Sequence, residues 1–104
     1  MLDGEWLDAE RRVLQVLCQG TPQGPLRDLA RTSLRAYRWR DPVHQAIFEI
    51  FLSLPADATA ALPDLLPARL TRRGFPDFSI EDLFQPHGVS RAEAERLIEL
   101  LAVR

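Results

Sequence analysis

The sequence predicts an all-α fold, a compact bundle of about five to seven short helices. Three observations carry that prediction. Apolar residues recur at helical spacing through nearly every segment, as Val43, Ile47, Ile50, Phe51 and Leu54 do at i, i+4, i+7, i+8 and i+11. Helix starts and stops are written in the sequence as Asp41-Pro42, Gly74 and Ser90-Arg91-Ala92-Glu93. No alternating apolar–polar run of any length argues for a strand.

The first periodic segment is Glu5 to Gln19, with Trp6, Val13, Leu14 and Leu17 on a broad face and Leu7, Val16 and Cys18 at its edges. Acids from Asp3 to Glu10 precede Arg11-Arg12, an order that suits the helix dipole. Gly20 is a natural stop, and Thr21 to Pro25 cannot continue a helix. Leu26 to Trp39 reads as the second helix, with Leu26, Leu29, Ala30, Leu34 and Tyr37 as its apolar side. Pro42 to Leu54 follows. Asp41 offers a carboxylate to a free first-turn N–H, Pro42 suits the first helical position, and five large apolar side chains make this the expected central element. Pro55-Ala56-Asp57 ends it, and Ala58 to Leu62 reads as a short separate turn.

Leu62, Leu65, Leu66, Leu70 and Phe75 give the next stripe, which requires a helix restarting near Pro63 with Pro67 still in its first turn. Arg72-Arg73 complement the dipole in its last turn, and Gly74 stops it. Ser79-Ile80-Glu81-Asp82, a capping-box variant, opens a short helix to about Gln85. Pro86 to Val89 turns the chain. A full capping box at Ser90 then launches a last helix with the stripe Ala94, Leu97, Ile98 and Leu101.

Residues 1–104 read as one domain, with a core at about 5–74 and a C-terminal helical hairpin at about 79–103. A chain of this length hides roughly 65 per cent of its unfolded surface without disulfides or metals. Hydrophobic content of 46% and charged content of 27% belong to a globular protein, and the net charge of −2 points to no polyanionic partner. One cysteine, Cys18, forms no internal disulfide, and the acidic N-terminus is unlike a signal peptide. No apolar run reaches the length of a membrane span, so the expected location is the cytoplasm.

Chemistry-bearing residues are few. His44 and His87 lie far apart, neither is at ligand spacing with Cys18, and no phosphate loop or nucleophile motif is present. His44 reads as a packing or hydrogen-bonding residue and Cys18 as a small core residue. The expectation is therefore a non-enzymatic protein that uses no cofactor, metal or small-molecule substrate. The strongest surface feature is basic: Arg27, Arg31, Arg35 and Arg38 recur at i, i+4, i+8 and i+11, and every basic side chain in the protein is Arg. That ridge is either a solvated face pairing with Asp28 and other acids, or a docking surface for an acidic partner or phosphates. Trp39 beside it is either core or an interface anchor.

Two resemblances follow. Leu83 to Ile98, with Gly88-Val89, Ala94 and Leu97-Ile98 at matching offsets, resembles a helix-hairpin-helix, the short DNA-backbone binder. That implies a phosphate held at Gly88, Ser90 and Arg91, the start of the last helix. The second turn glycine of the pattern is Ser90 here, Pro86 stands at an apolar position, and Glu93 and Glu95 bring negative charge close by. Tyr37, Asp41-Pro42, His44, Ile47-Phe48 and Leu54, preceded by Glu10, Val13 and Leu14, resemble the N-terminal domain of the DnaB-type replicative helicases. The resemblance covers roughly Asp8 to Gly74 and extends to the related helicase-binding end of bacterial primase. It implies a helical bundle that works by self-association or by docking a replication-type partner. No ATPase domain or Walker motif accompanies it, and Ser79 to Arg104 has no clear counterpart.

Overall fold

The longest helix, α1 (Asp3–Gln19), is the post around which the other elements are laid. A computed structural model describes residues 3–19, 25–54, 61–86 and 88–103. Within them α2 is Pro25–Ser33, α3 Pro42–Ser53, α4 Leu62–Arg72 and α5 Arg91–Ala102, with one 3₁₀ turn at Glu81–Phe84. There is no strand among the described residues. The all-α expectation holds. The expected stops at Gly20 and Pro55–Asp57, the turn from Ala58, and His87 fall outside the described residues.

Val13 to Cys18 are all buried, so this stretch of α1 is covered on every side. The coverings are α3, α5 and the 3₁₀ turn, whereas α3 packs mainly on α1 and α4. The place expected for α3 at the centre therefore belongs to α1. Gln15 and Gln19 bind the 3₁₀ segment from α1: Gln15 Nε2 donates to the Asp82 carbonyl at 2.7 Å, and Gln19 Nε2 to Leu83 and Gln85 at 2.6 and 2.8 Å. These amides satisfy carbonyls that so short a helix leaves open.

Local signals set several ends. Asp41, in extended backbone, caps α3 by accepting from the Val43 N–H at 2.9 Å. Ser90 caps α5 by accepting from the Glu93 N–H at 3.1 Å. Only half of that capping box forms, since the Glu93 carboxylate turns to Arg12 at 3.4 Å. The Ser79 box does not form; the 3₁₀ turn starts from Ile80 with no side-chain cap. Gly74 at φ 95° ends α4 as expected. The N–H of Phe75 reaches back to the Leu70 carbonyl at 2.9 Å and that of Gly74 to Thr71 at 3.1 Å, a Schellman ending.

Two segments depart from their predicted form. Pro67 lies inside α4, beyond its first turn, where it removes one backbone hydrogen bond. Leu62, Leu66 and Leu70 are all buried at i, i+4, i+8, and burial of that stripe outweighs the local cost. The second helix ends at Ser33 rather than Trp39, and Tyr37 to Trp39 run without regular structure. Pro42 favours extended backbone at Asp41, and α1 captures the segment before it through contacts described next.

Candidate functional site

Glu10 is fully buried in the middle of α1, an unusual place for a carboxylate. It survives there because donors surround it. Oε2 accepts from the Tyr37 hydroxyl at 2.5 Å and the Arg40 N–H at 2.7 Å. Oε1 lies 2.9 Å from His44 Nδ1 and 3.4 Å from the Asp41 N–H. An ionised carboxylate only accepts, so Nδ1 carries the proton toward it. Burial pushes the Glu10 carboxyl up, but the hydrogen bonds from His44, Tyr37 and the Arg40 backbone, with the attraction of the His44 ring, outweigh it and hold it below 4.5. His44 Nε2 lies 3.9 Å from Asp41 Oδ2. The network ties α1 to the loop after α2 and to the first turn of α3.

That loop carries Trp39, which is 8% exposed and therefore core rather than an exposed anchor. Its ring meets Tyr37 edge-on at 5.3 Å and lies tilted against Phe48 at 5.0 Å. Above these rings opens a groove of about 620 Å³ between the end of α2 and the outer face of α3. Arg31 and Arg35 stand on one wall, Gln45, Glu49 and Leu52 on the other, with Tyr37, Trp39 and Phe48 beneath. The volume falls within the ~300–1,000 Å³ of ordinary binding pockets. Gln45 and Glu49 also border a second, smaller hollow toward Pro42, Arg73 and Phe75.

The four arginines part company. Arg27 turns inward: its guanidinium lies 4.6 Å over the Phe51 ring, and Nη2 donates to the Leu54 carbonyl at 2.8 Å. It fastens α2 to the end of α3. Arg31, Arg35 and Arg38 are exposed and make no ion pair among the described residues, with Asp28 or any other acid. Because α2 stops at Ser33, the expected single helical ridge is broken, and only Arg31 and Arg35 border the groove. On the opposite wall Glu49 is already engaged, by Arg73 at 2.8 Å and by Gln45 at 3.1 Å.

The hairpin residues are arranged differently from the helix-hairpin-helix pattern. The first helix is a single 3₁₀ turn, and Gly88 has no positive φ. Ser90 is committed to capping, Arg91 pairs with Glu95 at 3.3 Å, and the Arg12–Glu93 ion pair stands beside the α5 start. Cys18 is buried, and burial pushes its thiol up to about 12. Among the described residues no group of acids, cysteines and histidines gathers as a metal site, and no helix is long and apolar enough to cross a membrane.

Glu10 is the residue that reading the sequence for chemistry passed over. Its signal is present: it lies four residues from Trp6 and Leu14 and three from Val13, a carboxylate on the apolar face. Against known proteins, no family model, no curated sequence and no solved structure matches this chain.

Proposed function

We propose that this protein is a non-enzymatic helical interaction module of the cytoplasm whose docking face is the groove between α2 and α3. One observation carries the reading: two exposed arginines, Arg31 and Arg35, with no partner among the described residues, stand over a floor of aromatic and aliphatic side chains. Unpaired Arg beside aromatic rings is the composition enriched where proteins meet. The likeness to the helicase N-terminal domain supports a replication-type partner or self-association. Glu10, Tyr37, Asp41 and His44, four residues carrying that likeness, meet in one network beneath the groove.

The nucleic-acid alternative has exposed Arg31, Arg35 and Arg38 in its favour but lacks a stacking platform, since Trp39 is buried among its neighbours. Light scattering across a concentration range, with pull-down from a cell extract and crosslinking through a photoreactive group at position 35, tests the proposal. Self-association or a partner crosslinked at the groove supports it. A strict monomer with no protein partner, or DNA affinity that falls steeply with salt, overturns it.

A further inference from the structure

We infer that the groove takes an amphipathic helix of a partner protein, with carboxylates on the flank facing α2 and none on the flank facing α3. This rests on the docking reading above and specifies the occupant. Charge sets the asymmetry. Arg31 in the last turn of α2 and Arg35 in the turn just after it stand on the α2 wall, exposed and with no partner among the described residues. Carboxylates on the facing flank of the incoming segment complement that charge. On the α3 wall Glu49 carries negative charge held by Arg73, so an acid on that flank meets a like charge. A glutamine, serine or basic residue suits it instead.

The choice of a helix follows from what the surface lacks and what it has already used. Adding a strand requires a sheet edge, and there is none among the described residues. A proline-rich segment requires ring hydroxyls or indole edges free to bind its carbonyls. The Tyr37 hydroxyl is turned inward to Glu10 at 2.5 Å, and Trp39 is buried. What remains is a groove with α3 as one wall and the last turn of α2 and the chain after it as the other, along which a helix can lay its apolar stripe against α3. Leu52 and the face of the Tyr37 ring, both only part-buried, would receive one or two aliphatic side chains.

Panning a displayed library of random peptides against the folded chain tests the inference. Amide chemical-shift mapping locates each selected peptide, and the double variant Arg31→Glu/Arg35→Glu supplies the charge reversal. The expected result is enrichment of segments with acids along one flank of an apolar stripe, shifting the Arg35, Tyr37 and Leu52 resonances. They should bind about tenfold or more weakly to the variant, with Lys-for-Glu peptides recovering affinity for it. Both arginines are exposed, so the variant's circular dichroism should match the parent. Peptides that seat in the groove with no preference for acids overturn this inference and leave the docking reading standing. Peptides that bind elsewhere, or none at all, overturn both. Binding of a single-stranded oligonucleotide in their place, lost in the same variant, also overturns both.

Discussion

Glu10 is a carboxylate closed off from the surface, held by Tyr37, His44 and the backbone of Arg40 and Asp41. Removing a carboxylate from such a cluster strands its donors. Glu10→Ala should therefore cost about 3–5 kcal/mol, since each buried donor left unsatisfied costs about 1–3 kcal/mol. Glu10→Gln, which keeps the shape and loses the charge, should cost about 1.5–3 kcal/mol. Urea denaturation at neutral pH measures both. The folded-state pKa of Glu10 lies below the ordinary 4.5. Its ionised form thus stabilises the fold above 4.5, and that stabilisation is lost as pH falls through the folded-state value. The acid limb of a stability–pH profile should flatten in Glu10→Gln; an unchanged limb would show that other carboxylates govern acid unfolding.

At the scale of elements, two helix features separate backbone conformation from packing. Gly74 sits at φ 95° with open space where a Cβ would go. Gly74→Ala should lower stability by about 1–2 kcal/mol through backbone strain alone. Thermal melts should show that loss with no change in helix content. Pro67 is exposed inside α4, so Pro67→Ala regains a backbone hydrogen bond without disturbing the core. A gain of about 1–2 kcal/mol is expected, below the ~3 kcal/mol cost of a mid-helix proline because proline also restricts the unfolded chain. These elements also show what the sequence made legible. α1, α3 and α5 were readable to within a few residues because apolar spacing and caps are local signals. The end of α2 was not, because Glu10 sets it from a distance in sequence, through Tyr37 and Arg40. The single arginine ridge failed for the same reason.

For the whole molecule, the division into a core at 5–74 and a hairpin at 79–103 meets a physical objection. α5 packs on both α1 and α2, and the 3₁₀ turn packs on α1. Leu83, Ile98 and Leu101 are each 1% exposed or less. Burying each such side chain contributes about 1.5–3 kcal/mol, against a total stability of ~5–15 kcal/mol for an ordinary domain. A fragment ending at Gly74 should therefore melt without a cooperative transition, whereas the full chain, 32 × 29 × 26 Å in extent, should unfold in one. A fragment that melts cooperatively would establish two separable units. The groove was equally invisible in sequence, because its walls and floor come from α2, the loop after it and α3.

The buried carboxylate gives the segment around Arg40 a property that irregular chain seldom has. The Arg40 amide belongs to no helix, yet its N–H donates to Glu10 Oε2, an atom sealed from solvent, at an N···O distance of 2.7 Å. It should exchange with deuterium as slowly as amides inside α3, and Glu10→Gln should speed that exchange at least about tenfold. Trp39 lies next to it in the chain and lines the groove, so the same carboxylate would hold the docking face proposed above in shape. A partner of that face would meet a host segment already ordered, so stiffening the partner in its bound form is what should raise affinity.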